Sequence, residues 1–224
     1  MTTWSVTSTV HTASLLERAN SAESAELSPF AAVVGRHVPF YLAPPEELPF
    51  GTGTPGDDYV TIQWADPHSA HRGMYEVNFN GKITFLVPCE LEATKFNLGA
   101  GNDVIVCADN VWADVTAYGG SGNDWMQGAR GNDHLYGGAG DDYINGQFGN
   151  NLLDGGDGND KVQGDGYLIG GKGNDELRAW WGQTDVLIGG DGDDLLVGTT
   201  SKNVDPTWAD GGSGNNTIIN CQEF

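Results

Sequence analysis

From Gly119 to Gln163 the chain reads GGSGNDWMQ, GARGNDHLY, GGAGDDYIN, GQFGNNLLD and GGDGNDKVQ, five successive blocks of nine residues. Further copies are GGKGNDELR from Gly170, GGDGDDLLV from Gly189, GGSGNNTII from Gly211 and a partial LGAGNDVIV from Leu98. An apolar residue recurs at the eighth position: Ile105, Met126, Leu135, Ile144, Leu153, Val162, Leu177, Leu196 and Ile218. A fixed short period with glycine turns and one apolar position per block specifies a stack of identical small units, none able to bury its apolar face alone.

The residue types match a cation-binding turn. Glycine at positions 1, 2 and 4 permits positive φ and close backbone approach, so that carbonyl groups converge. Aspartate at position 6 adds a hard anionic oxygen suited to Ca²⁺. These blocks resemble the RTX, or haemolysin-type, calcium-binding nonapeptide family, G-G-x-G-x-D-x-U-x, over roughly the last 128 residues. The resemblance implies an all-β parallel β-roll in which each nonapeptide is a turn plus a short strand and successive turns fall on opposite edges. It also implies several bound Ca²⁺ ions. The implied metal residues are Asp103, Gly120, Gly122, Asp124, Asp133, Gly138, Gly140, Asp142, Gly156, Gly158, Asp160, Gly171, Gly173, Asp175, Gly190, Gly192 and Asp194.

Counting turns alternately puts Asp103, Asp124, Asp142, Asp160, Asp175, Asp194 and Asn216 on one edge. On the other edge only Asp133 lies in an intact motif, among irregular turns at Cys107 to Tyr118, Gly164 to Ile169, Ala179 to Ile188 and Gly198 to Asp210. The expectation is a calcium row on one edge and sparse metal on the other. Trp112, Trp180, Trp181 and Trp208 fall in those irregular turns, with Phe148 between them. They either stack on sugar rings or anchor a partner, or they seal the core where calcium is missing; burial is the preferred reading.

Composition narrows the function classes. The 224 residues carry 31 Asp+Glu against 10 Lys+Arg, a formal charge of −21, which repels nucleic acid and anionic membranes and favours cations. Residues 97–224 hold 28 of the 34 glycines and 20 of the acids, so two different objects meet near Asn97. No apolar run is long enough for a transmembrane segment, and the start at Met1 to Val10 has no Sec-type pattern. Cys89, Cys107 and Cys221 lack zinc-ligand spacing and read as free, small buried thiols, with a Cys89–Cys107 disulfide the alternative.

The expected organisation is a leader at 1–30, a small β-rich cap at 31–96, the roll at 97–219 and a tail at 220–224. Met1 to Ser28 is Ser/Thr-rich, with one weak helix over Ala13 to Leu27 capped by Thr12. Short β-type runs follow at Ala31 to Val34, Val38 to Leu42, Tyr59 to Trp64, Met74 to Phe79 and Lys82 to Val87, the last two joined by the hairpin signal Asn80-Gly81. Gly51 to Gly56 reads as a turn, and His68 and His71 as exposed loop histidines.

Trp64-Ala65-Asp66-Pro67-His68 resembles the W-G-D-P-H core of metal-triggered self-cleaving modules in some secreted effectors, which implies scission between Asp66 and Pro67. Ala65 and Ser69-Ala70 depart from that pattern, and a plain Asp-Pro turn is the preferred reading. No H-E-x-x-H or G-x-S-x-G occurs. The expected function is therefore a secreted, non-enzymatic calcium-binding protein whose repeats fold on Ca²⁺ outside the cell, exported without a Sec signal by a type I or type III route. Polysaccharide or a host or cell-surface protein is the expected further partner. Alternatives are the Ca²⁺-triggered self-cleaving effector and a carbohydrate-binding module on the tryptophan-bearing turns.

Overall fold

The computed structural model describes residues 51–180, 185–199 and 207–223. The leader, the helix over Ala13 to Leu27, the runs at Ala31 to Val34 and Val38 to Leu42, Trp181 and Phe224 lie outside the described residues.

Strands alternate between two sheets that face each other. One sheet contains β4 (Lys95–Ala100), β6 (Thr116–Ser121), β8 (His134–Ala139), β10 (Asn151–Asp157), β12 (Gly166–Lys172), β14 (Val186–Asp191), β16 (Trp208–Ser213) and β18 (Gln222–Glu223), in that order. The other contains β5 (Val104–Cys107), β7 (Trp125–Gln127), β9 (Tyr143–Asn145), β11 (Lys161–Gly164), β13 (Glu176–Ala179), β15 (Leu195–Val197) and β17 (Thr217–Ile219). Every neighbouring pair within these runs is parallel. These strands form a parallel β-roll, a solenoid of two strands per coil.

Register explains the eighth-position residues. Ile105, Met126, Ile144, Val162, Leu177 and Leu196 stack strand upon strand along the inner face of one sheet. Ala117, Leu135, Leu153, Leu168, Leu187 and Ala209 do the same opposite them. All are buried, each burial contributing about 1.5–3 kcal/mol for the larger aliphatics. The core is one side chain deep from each sheet, so turns and their ligands supply much of what fixes the coils.

The roll begins upstream of the expected boundary at Asn97. β1 (Tyr59–Trp64) pairs in parallel with β5, and Gly53 N–H donates to Asn97 O while Asn97 N–H donates to Gly51 O, both at 2.6 Å. Residues 51–64 thus form a coil edge and strand of the solenoid itself, because Gly53-Thr-Pro-Gly-Asp-Asp58-Tyr-Val60-Thr61 is a nonapeptide with Thr54 at position 2. β2 (Tyr75–Phe79) and β3 (Lys82–Leu86) then extend the sheet antiparallel, turning at Asn80 (φ 50°) and Gly81 (φ 85°). A short helix, α1 (Pro88–Ala93), absent from the sequence reading, leads into β4 with buried Leu91. At the other end β18 pairs with β16, so part of the expected tail belongs to the sheet.

Three further expectations are corrected. Cys89 is exposed while Cys107 is buried, and the cysteines are free, so no Cys89–Cys107 bridge forms; Cys89 sits on the surface of α1. His71 is half-buried rather than exposed, its ring stacked 3.7 Å from Phe85. Trp112 does not seal the core: it is 67% exposed, since its turn tip projects from the edge.

Candidate metal centre

Position-6 residues form a ladder along one edge. Asp103 N–H donates to Asp124 Oδ1, Asp124 N–H to Asp142 Oδ1, Asp142 N–H to Asp160 Oδ1, Asp160 N–H to Asp175 Oδ1, Asp175 N–H to Asp194 Oδ1 and Asp194 N–H to Asn216 Oδ1, all at 2.7–2.9 Å. The structure therefore brings together the seven residues that counting placed on one edge. The strands flanking the irregular turns of the far edge keep their register.

Each rung uses one carboxylate oxygen and leaves the other. Oδ2 of Asp103, Asp124, Asp142, Asp160, Asp175 and Asp194 is buried and has no hydrogen-bond partner. In the turns of Asp124, Asp142, Asp160, Asp175 and Asp194 this oxygen lies beside the first glycine of the motif, next to the carbonyl oxygen of the first glycine one coil on. For Asp142 the pair is Oδ2 and Gly155 O, both close to Gly137. A Cβ on Gly137 would occupy the carboxylate's place. Gly120, Gly122, Gly138, Gly140, Gly156, Gly158, Gly171, Gly173, Gly190 and Gly192 all have φ between 109° and 151°. At Gly138 a Cβ would also overlap the carbonyl oxygen of Gly120, so only glycine lets the coils approach.

The electrostatics match this crowding. Burial raises the carboxyls of Asp142 and Asp160 to about 7 and those of Asp124 and Asp175 to about 6, backbone amides oppose the shift, and neighbouring aspartates add to it. Burial also raises Asp103 and Asp194. A column of desolvated carboxylates with spare oxygens and convergent carbonyls is a donor set for a hard cation that accepts six to eight oxygens. The residues present fit Ca²⁺.

Into this region a family model described as the RTX calcium-binding nonapeptide repeat matches in four copies, over residues 118–153, 143–166, 163–196 and 182–200. Residues 118–200 are RTX calcium-binding repeats. That part of the roll is thus similar to repeats described as calcium-binding. No curated protein and no solved structure matches the chain.

Several RTX-roll residues escaped the sequence reading. Position-5 residues build a second, exposed ladder: Asn102 N–H donates to Asp57 Oδ1, Asn123 N–H to Asn102 Oδ1, Asp141 N–H to Asn123 Oδ1 and Asn159 N–H to Asp141 Oδ1, continuing through Asn174, Asp193 and Asn215. The signal was the repeating Asn/Asp at position 5. Asp58 starts the inner ladder by donating its N–H to Asp103 Oδ1 at 2.7 Å. Its own carboxylate is saturated by Thr54 N–H, Thr54 Oγ1 and the Asn80 amide, so protein donors satisfy this end.

On the opposite edge Asp133 differs from the row. Its Oδ1 accepts Val115 N–H at 2.8 Å and its Oδ2 accepts Ala129 N–H at 2.7 Å, while burial raises it to about 7. The expected metal role of Asp133 thus meets a carboxylate already holding two amide bonds. Asn151 stands at the equivalent place in the next coil and gives its amide to Gly146 O at 3.3 Å. Around these turns Arg130 lies 5.0 Å from the Trp112 ring and 5.5 Å from that of Phe148, and Trp180 meets Phe148 edge-on. Asp66 and Pro67 are exposed, remote in the fold from this row, in the loop between β1 and β2.

Proposed function

We propose that the protein is a secreted calcium binder whose roll winds up when it meets Ca²⁺ outside the cell. The observation that carries this reading is the unbroken run of buried, unpartnered Oδ2 atoms from Asp103 to Asp194. Without a cation those charges repel across a thin core, and the core alone offsets little of the conformational entropy of its coils. Ca²⁺ supplies positive charge and coordination there; the chain supplies one carboxylate per turn, glycine carbonyls and a strand register that stacks them. Scarce cytosolic Ca²⁺ would leave the repeats loose enough for export before they fold. Far-ultraviolet circular dichroism tests this: β structure is expected to grow on adding Ca²⁺ and vanish with chelator. A chain equally β-rich in chelator overturns coupled folding.

A second reading, Ca²⁺-triggered self-cleavage, rests on the resemblance of Trp64-Ala65-Asp66-Pro67-His68 to self-cleaving modules, while the bonds around Asp66 are those of the preferred Asp-Pro turn. Asp66 O accepts both Ser69 N–H (2.9 Å) and Ser69 Oγ–H (2.8 Å), which polarises the carbonyl, while His68 N–H holds Asp66 Oδ1 at 2.8 Å. In this reading an Asp66 carboxylate oxygen attacks its own carbonyl carbon and the bond to Pro67 nitrogen breaks. That nitrogen takes a proton, and water opens the cyclic anhydride to leave a C-terminal Asp66. Mass spectrometry after incubation with millimolar Ca²⁺ would detect a fragment ending at Asp66; an intact mass removes the reading. The exposed rings of Trp112 and Phe148 support a polysaccharide or cell-surface protein as a further partner. Tryptophan fluorescence unchanged by acidic polysaccharide would remove the first of these.

A further inference from the structure

One outward sheet face departs from the acidity of the rest of the chain. Among the described residues, Glu176 is the one carboxylate on the outward face of β5, β7, β9, β11, β13, β15 and β17, in a sequence with 31 Asp+Glu. Pairing puts Trp125, Tyr143, Lys161 and Glu176 in one row on consecutive strands, with Gln163 and Arg178 beside the last two. The Trp125 and Tyr143 rings stack, centroids 4.1 Å apart. The stack stops at Lys161, where a shallow cleft of about 190 Å³ is lined by Tyr143, Lys161, Val162, Gln163, Glu176 and Arg178. Trp125 covers one face of the Tyr143 ring, so the cleft meets the other.

The polar groups of the cleft hold one another in place. Glu176 accepts Arg178 Nε–H and lies 3.8 Å from Lys161 Nζ, and the Gln163 amide donates to the Tyr143 hydroxyl. The terminal nitrogens of Arg178 and the carbonyl oxygen of Gln163 make no bond among the described residues. An aromatic face bordered by fixed donors and acceptors is the chemistry that recognises a sugar ring: the C–H face packs on the phenol and the hydroxyls meet the polar rim. Side chains already held by one another lose little freedom on binding. Charge decides which sugars fit. One Glu against Lys and Arg leaves the cleft a single positive charge, while the chain at −21 repels polyanions, so a neutral sugar is favoured. Being smaller than the roughly 300–1,000 Å³ of pockets for drug-sized ligands, the cleft admits a single ring.

We propose that this cleft binds one neutral sugar unit of a polysaccharide, with Tyr143 as the stacking platform and Gln163, Glu176 and Arg178 as partners of its hydroxyls. The proposal rests on the polysaccharide reading above for the class of ligand, and moves the binding from the exposed rings of Trp112 and Phe148 to a sheet face.

Isothermal titration calorimetry of the full chain in saturating Ca²⁺ tests it, with neutral hexasaccharides of glucose, mannose and galactose as probes and a uronate hexasaccharide as the anionic control. At least one neutral hexasaccharide is expected to bind, about tenfold more weakly to Tyr143→Leu and to Arg178→Gln and equally well to Trp112→Ala. Circular dichroism in Ca²⁺ is expected to match the wild type for all three variants. No binding of any neutral hexasaccharide overturns the proposal, as does tighter binding of the uronate, which would make Lys161 and Arg178 an anion site. Affinity unchanged in either Tyr143→Leu or Arg178→Gln overturns this site, and a loss in Trp112→Ala then upholds the polysaccharide reading at the irregular turns. If Tyr143→Leu does not fold, Arg178→Gln decides in the same way.

Discussion

Asp160 Oδ1 accepts the backbone N–H of Asp142 at 2.8 Å while its Oδ2, equally buried, accepts nothing. One carboxylate thus does two jobs. The bonded oxygen locks one coil to the next whether or not a cation is present, and the free oxygen creates the demand for one.

Asp160→Asn separates the two jobs. The amide keeps an acceptor for Asp142 N–H and places a donor where the free oxygen was, as Asn151 and Asn216 do when they donate to Gly146 O and Gly212 O. Expected outcomes are a chelated protein more stable by about 1–3 kcal/mol and a smaller rise in Tm on adding Ca²⁺. Paired calorimetric scans check this; a chelated Tm below wild type would refute it.

Acidification should stabilise the ion-free roll. Folded-state values of about 6 to 7 for Asp124, Asp142, Asp160 and Asp175 lie above the ordinary 3.8, so the folded chain binds more protons than the unfolded one between roughly pH 4 and 7. Stability conferred by protonation is fully present below pH 4 and is lost as pH rises through 6 to 7. Protons and Ca²⁺ compete for the same oxygens, so apparent calcium affinity should fall across the same window on acidification. Urea titrations in chelator at pH 5 and pH 8 give the sign.

Gly137→Ala should cost about 1–3 kcal/mol, because the methyl group takes the place of Asp142 Oδ2 and the neighbouring Gly155 carbonyl must shift. Calcium titration calorimetry is expected to show weakened binding together with the lower Tm. Normal binding would mean the turn relaxes more easily than its packing indicates.

Arg130→Ala removes a guanidinium held against Trp112 and Phe148 and should cost about 1–2 kcal/mol. The loss should be the same in Ca²⁺ and in chelator, with ion stoichiometry unchanged, since Arg130 stands on the edge opposite the row. Urea unfolding under both conditions measures it.

What was legible in the sequence was whatever kept the period. Asp124, Asp142 and Asp160 repeat every 18 residues, so their edge and their stacking follow from counting, and the eighth-position residues give the core. Asp58 was missed because Thr54 replaces the second glycine and the surrounding composition is not glycine-rich, although Gly53, Gly56 and Val60 keep the spacing. The cleft beside Tyr143 was missed for a different reason: Tyr143, Lys161 and Glu176 come from three separate blocks, and only strand register brings them together. The exposure of Trp112 was misjudged because composition reports that aromatics are usually buried, whereas the tip of a turn has nothing beneath which to hide.

The two side-chain ladders join each coil only to the one before and the one after it. Tension applied along the axis therefore loads these bonds in series, and rupture at any rung need not release the others. Such a molecule would yield by successive small extensions rather than one abrupt failure, the behaviour of a tether that absorbs work.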